Sequence, residues 1–579
     1  MHPTPSRSSL RRPWRTSRGV ALAAVLACAS AIALSTTGVA VAAREKSAPT
    51  GSAIVVGAEE FPPVLNDMTP QGNGQWTAMI VGPALARGYK LMPDFSYEPW
   101  LFSKDCTVSS QSPFTVDCSI RGDAKWSDNT PLTADDFKFT YDTIMNPKNN
   151  VITRDGYDQI TAFTVVSPTA FQMVFKQVFA PYRDLWAGTA TAVLPKHVLE
   201  GQNFNKVWNK CICDPKTGTP IGSGPMLVES FTPDQQVTLV PNPNYWGKKA
   251  TVPKVVFVPV LDSNAEVNAF RAGEVDMIYP QNQIGLRKKI EAVEGAKYTS
   301  TLGPQWEHFD MLSTVPGLDA VDVRKAIATA LPRQQIVDRV VKDANDDAKV
   351  LDNTQWMTDQ KAYEANWSMY PAKGDVAAAN AILDAAGWKA GADGVRAKDG
   401  VKLAFSLGTT SGNQARELSQ VIIQEQLKQI GVKITIKNSP DILDAKLVSF
   451  DYQSIIFAWV GSPDPFGNNI IWQSTSIPAK CAPAKAKVGD CDWSGANYTK
   501  IENPTIDQLL AQANTTSDPV ARAALYNQVD KQLATSEVTV IPLFQKPTQL
   551  GYKGSITGVR DNPTQDGFTW NIEDWNFTP

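Results

Sequence analysis

Lys125-Trp126-Ser127-Asp128-Asn129-Thr130-Pro131-Leu132-Thr133-Ala134-Asp135-Asp136-Phe137 is the stretch that decides the fold. Its first part is a tight turn over 127–130, with Asn129 a residue that tolerates the left-handed region of backbone space. Its second part opens a helix. Thr133 followed three residues later by Asp136 is an N-cap pair, in which hydroxyl and carboxylate satisfy amides that the first helical turn leaves unpaired.

Outward from this point, strand-like and helical segments alternate along the whole chain, which predicts an α/β or α+β architecture. Residues 252–261 read as an extended segment, and 264–272 as a short helix ended by Gly273. Residues 322–341 carry Val323, Ile327, Leu331, Ile336, Val337 and Val340 at helical spacing, broken into two helices at Pro332. Further helices are predicted over 375–386, 416–430, 507–513 and 520–533, with an alternating strand at 432–436. No fixed-period repeat is visible.

The 579 residues exceed what one core holds, since single cores stop growing near roughly 250–300 residues. Apolar residues make up 43% and charged residues 20%, the balance of a globular chain and not of a disordered one. Lys and Arg number 55 against 58 Asp and Glu, a formal charge of −3, which argues against a general nucleic-acid binder. Only His2, His197 and His308 are present, so His-rich metal sites and His-based acid–base machinery are poorly supplied. No metal site and no cofactor are expected.

Six further elements follow the first in a fixed order. They are Gly222-Ser223-Gly224-Pro225, Asn242-Pro243-Asn244-Tyr245-Trp246-Gly247 and Ala272-Gly273-Glu274-Val275-Asp276-Met277-Ile278. Then come Asp322-Val323-Arg324-Lys325-Ala326-Ile327, Leu383-Asp384-Ala385-Ala386-Gly387-Trp388 and Val540-Ile541-Pro542-Leu543-Phe544. Each is weak alone; the ordered set, covering about 55 to 560, resembles the extracellular solute-binding proteins of family 5, the peptide-binding components of bacterial ABC importers. The likeness is closest in character to actinobacterial members. Asn129 stands where the family usually has Gly.

The resemblance implies a type II periplasmic-binding-protein fold, two α/β lobes closing by a hinge on a cleft. Residues 45–300 with 545–579 would form lobe I, with 90–215 as the extra subdomain of the peptide-binding cluster. Residues 301–544 would form lobe II. The implied activity is capture of an oligopeptide and delivery to ABC permease subunits at the cell membrane, by a monomer and without catalysis.

The implied site residues follow the same likeness. Residues 457–466 lie where relatives lay a strand against the peptide backbone, main-chain pairing that gives affinity without reading side chains. Trp459, Val460, Gly461 and Ser462 belong to it. Relatives anchor the peptide's amino terminus with an Asp here; this chain has Ser462 at that position and Asp464 two residues later, so Asp464 is either a shifted anchor or a turn residue before Pro465. Trp306 and Glu307 follow the hinge, Trp306 as cleft wall or core. Phe61, Leu65 and Asn66 match the region where lobe I lines the cleft. His308 reads as structural, and Trp126, Trp246 and Trp388 as core.

Residues 1–42 contain five Arg, no acid, an apolar run at 19–33 and a terminal Ala40-Val41-Ala42, which reads as an export signal. Val25-Leu26-Ala27-Cys28 competes as a lipid-attachment site at Cys28, and a retained membrane span is the third reading. Loss of 1–42 leaves 50 basic against 58 acidic residues, a charge of −8. Export to the outer face of the membrane or a periplasm-like space agrees with cysteine pairing. Proximity favours Cys106 with Cys118 and Cys481 with Cys491, each closing a short loop. Cys211 and Cys213, one residue apart, would make a strained ring if joined.

Three other readings remain at this point. The same fold could hold a non-peptide ligand (glycolipid, oligosaccharide, haem or siderophore-like), which the Ser462 departure favours. It could act as a regulatory scaffold. A secreted hydrolase lacks support, with no Gly-x-Ser-x-Gly elbow and no His-Glu-x-x-His helix.

Overall fold

Thr133 and Asp136 do what their spacing predicts. Helix α1 (Ala134–Met145) starts after Thr133, whose amide donates to Asp136 Oδ2 at 2.9 Å, and Asn129 in the preceding turn has φ of 70°. The structure, a computed structural model, describes residues 53–188, 190–260, 262–440, 442–478 and 495–578. The export segment with Cys28, and the pair Cys481 and Cys491, lie outside the described residues.

Twelve strands build two main sheets. Strands β1 (Ile54–Ala58), β2 (Met226–Thr232), β3 (Gln236–Pro241), β4 (Val255–Pro259), β5 (Met277–Ile278) and β6 (Ala296–Thr299) come first. Then follow β7 (Leu302–Met311), β8 (Ala404–Gly408), β9 (Lys433–Ile436), β10 (Ser454–Val460), β11 (Val540–Pro547) and β12 (Leu550–Lys553). One sheet has the order β6-β12-β5-β1-β4-β3-β2, the other β9-β8-β10-β7-β11. In the first, β1 is parallel to β4 and β5; in the second, β8 is parallel to β9 and β10, and β7 is antiparallel to both neighbours.

The chain passes between the sheets twice, from β6 to β7 and back from β11 to β12. The two passages lie side by side: Thr548 N donates to Thr301 O at 2.8 Å, Thr301 N donates to Thr548 Oγ1 at 2.9 Å, and Leu302 pairs with Pro547. A four-stranded antiparallel sheet is inserted between β1 and β2, in the order Thr107–Gln111, Phe114–Ser119, Ala170–Phe175 and Ile160–Ser167. A disulfide joins Cys106 to Cys118 beside it, and a second joins Cys211 to Cys213.

The helices follow their local signals. α2 (Ser263–Ala272) has Asp262 as cap, accepting from the amides of Asn264 and Ala265, and ends on Gly273 at φ of 76°. α3 (Val321–Ala330) and α4 (Arg333–Val340) meet at Pro332, which lacks the amide needed to continue. α5 (Val376–Ala385) and α6 (Gln414–Lys428) are capped by Asp375 and Asn413; α7 (Pro504–Thr515) and α8 (Pro519–Gln532) both carry Pro in the first turn.

Separate apolar cores lie against the two main sheets. Trp126 and Trp388 are buried in them as expected. Trp246 is only partly buried, its ring covered by the Arg121 guanidinium 3.9 Å from its centroid. Phe95, from the segment before the inserted sheet, belongs to the core of the second main sheet. Among the described residues no helix is long and apolar enough to cross a membrane.

Candidate functional site

The two side-by-side passages leave a cavity of about 140 Å³ on one flank. The first-sheet side supplies Trp76, from the helix Gln75–Val81, and the segment 279–282 that follows β5. The second supplies residues 303–305 of β7 and Val460 at the end of β10. The returning strand closes one wall with 546–549, and 563–565 completes it.

A small recess of about 20 Å³, room for about one water, shares Asn282 and Lys546 with this cavity. It holds Glu307 and Arg416. Glu307 is 3% exposed, and Arg416 meets it through Nε at 3.0 Å and Nη2 at 3.0 Å. Lys546 Nζ stands 3.9 Å from the same carboxylate. Burial lowers the pKa of the Lys546 ammonium, and Glu307 opposes that shift.

Strand alternation sorts the neighbouring residues of β7. Glu307 enters the recess, while Trp306 is 1% exposed and packs in the core of the second sheet, 4.8 Å from the His308 ring. His308 is fully buried, with Nδ1 2.5 Å from Asp310 Oδ1, a structural pair.

Of the residues singled out in the sequence, Val460 lines the cavity and Glu307 the recess. The others line neither. Trp459 is partly buried and stacks on Tyr498 at 5.7 Å. Gly461 N donates to Pro304 O at 2.8 Å, fixing the end of β10 to β7. Ser462 Oγ donates to Asp464 O at 2.5 Å, and its carbonyl accepts from Gln360. Asp464 caps the turn Pro465–Asn468 by accepting from Phe466 N, and both its oxygens are held by Arg522. Asn66 is 1% exposed and folds into its own turn, accepting from Met68 N and donating to Phe204 O. Leu65 is fully buried, and Phe61 packs near Phe231.

The sequence reading missed Trp76, Tyr279, Arg416 and Lys546. One signal was available for Lys546: it is the lone charge at the end of a strand whose other residues are uncharged and buried. Arg416 carried none, because an arginine in the first turn of an amphipathic helix ordinarily reads as solvated.

The β8 ladder against β10 ends at Ile455, and the Thr409 hydroxyl donates to Ile456 O at 2.9 Å; beyond that point the side of β10 opposite β7 has no strand partner among the described residues. That feature, the double passage and the cavity agree with the comparisons. Residues 93–479 match the bacterial extracellular solute-binding proteins, family 5 Middle. The chain belongs to that family. A family 5 chain is a binding protein and not an enzyme. It is 26% identical to Protein XP55 of Streptomyces lividans, with 84% of each chain covered. It is 25% identical to the oligopeptide-binding protein AppA of Bacillus subtilis, over 79% of this chain and 80% of the other. The fold matches the solved structure of the periplasmic EDTA-binding protein EppA with a TM-score of 0.76 at 22% identity, covering 91% of this chain and 97% of that one.

Proposed function

We propose that this family 5 protein captures an oligopeptide in the cavity beside the double passage and presents it to the permease subunits of an ABC importer. The side of β10 turned away from β7 carries the reading: among the described residues no strand pairs with it beyond Ile456, and its last residue, Val460, lines the cavity, so an extended peptide can pair there by main-chain hydrogen bonds whatever its side chains. The oligopeptide-binding relative AppA supports it. Residues 45–300 with 545–579 act as one lobe and 301–544 as the other, closing about the Thr301–Thr548 contacts as a monomer. Residues 1–42 direct export to the outer face of the membrane, where cleavage or a lipid on Cys28 completes the address. Val460 and Glu307 are the sequence-predicted residues nearest the ligand. Calorimetric titration with a broad oligopeptide library tests the proposal; absence of binding across the library removes the peptide.

A second reading keeps the fold and changes the ligand. The cavity of about 140 Å³ resembles in size a cavity of ~150 Å³ that admits benzene, which favours a small molecule over a long peptide. The EDTA-binding neighbour points the same way. Mass spectrometry of the ligand carried by native protein separates the readings: a ladder of peptides removes the small molecule.

A further inference from the structure

Lys546 is the only charged residue among those lining the larger cavity. Among the described residues the one carboxylate within ion-pair distance of it, Glu307, is already engaged by three hydrogen bonds from Arg416. Two cations therefore share one anion, and the surplus positive charge belongs to the residue that lines the cavity. Burial works against that charge, and the Lys546 side chain, 20% exposed, shares the Glu307 carboxylate with Arg416.

The other carboxylates nearby are committed elsewhere. Asp561 accepts from Thr301 and Thr548, and Glu59 accepts from Ser263 and the Gln281 amide. Asp464 is held by Arg522. None of the three lines the cavity. A ligand's ammonium would enter a space with a fixed cation and no anion, which is the unfavourable way to bury a charge. Asn282, common to both cavities, has a buried amide oxygen without a hydrogen-bond partner among the described residues. Its amide can turn to present N–H to an anion.

We propose that the cavity takes a carboxylate, with Lys546 as its ion-pair partner and Asn282 as a second donor. The ligand is oriented by its acid end, and its amino terminus, if it has one, is not the anchor. The proposal rests on the reading of this cavity as the ligand cleft. The carboxylate is either the C-terminus of a peptide or a group of a small organic acid.

The test is calorimetry on the full chain with mixed-sequence tripeptides in three forms: free acid, C-terminal amide and N-acetylated acid. Succinate and citrate form a parallel arm. The acid and the N-acetylated acid are expected to bind within about 3-fold of each other, and the amide about 10-fold or more weaker. Lys546→Met is expected to bring the acid down to the amide's affinity, with Lys546→Gln repeating the result should the first variant fold poorly, and Lys546→Arg recovering part of it. If only succinate or citrate binds, and does so through Lys546, the peptide reading falls while the carboxylate site stands. Equal binding of acid and amide, loss of binding on N-acetylation, affinities indifferent to Lys546, or no binding in either arm overturns the proposal.

Discussion

Arg522 holds Asp464 in a two-pronged grip, Nε to Oδ2 at 2.9 Å and Nη2 to Oδ1 at 2.7 Å, with the arginine side chain 5% exposed. The pair joins α8 to the turn after β10. Across from it stands Asp184 of the inserted segment, whose carboxyl is pushed well up by burial and by the Asp464 charge, and whose Oδ1 accepts from the Tyr97 hydroxyl. Phe179 of that segment packs edge-on against Phe466 at 5.4 Å. Asp464 thus spends its charge inside the protein.

Arg522→Ala is expected to be the costlier half of this pair. It leaves the half-buried carboxylates of Asp464 and Asp184 as neighbours without that guanidinium, a loss of about 3 kcal/mol by urea denaturation, the low end for a buried pair because both acids keep some water. Asp464→Asn is expected to cost less and to change peptide affinity by no more than about 3-fold. A drop of 100-fold or more in Asp464→Asn, with folding intact, would restore Asp464 as the amino-terminal anchor.

Glu266 is fully buried on α2, and neither carboxyl oxygen has a hydrogen-bond partner among the described residues. Burial, then the charges of Glu59 and Asp262, push its pKa up to about 10. The folded state therefore keeps a proton that the unfolded chain releases near the ordinary Glu value, so stability falls as pH rises between those two values. Glu266→Gln removes this loss. Its unfolding free energy, plotted between about pH 5 and 9, is expected to be flatter than wild type by up to ~1.4 kcal/mol per pH unit. Parallel curves would show that Glu266 is ionised in the fold.

Arg333 is fully buried and donates to four carbonyls, those of Leu351, Trp367, Tyr370 and Pro542, besides pairing with Asp352 at 2.9 Å. Lysine offers a point charge and cannot span these acceptors. Arg333→Lys is expected to cost roughly 2–4 kcal/mol in chemical denaturation, with unpaired buried carbonyls as the cause. A cost under about 0.5 kcal/mol would mean that water reaches the site and replaces the guanidinium.

Removal of the Cys106–Cys118 bridge by Cys106→Ser with Cys118→Ser opens a loop of sequence separation 12. Loop-closure entropy predicts a loss of roughly 3 kcal/mol, read as a lowered Tm, with ligand affinity retained because the bridge lies away from the cavity. Unchanged Tm would place the bridge's strand pairs among the elements that hold without it.

The helices were legible because their signals act over three or four residues. Thr133 with Asp136 before α1, Gly273 after α2, and Pro332 between α3 and α4 each satisfy or remove a specific backbone group, wherever the helix packs. The ordered motifs carried the family and the mixed α/β class in the same way. The candidate site was less legible. Residues 457–466 drew attention through the family likeness, as the place of a strand laid against a peptide, yet only Val460 of that segment lines the cavity.

By itself, then, the sequence determined the caps, the breaks, the family and the short spacing that brings Cys106 to Cys118. Only the tertiary structure decided that Asp464 belongs to Arg522, that Trp306 turns into the core while Glu307 turns out, and that Lys546 is the charge of the cavity. The reason is distance along the chain. Glu307, Arg416 and Lys546 lie on β7, α6 and β11, and nothing local ties them; the order of β10, β7 and β11 in one sheet brings them together, and burial then decides which charges stay paired.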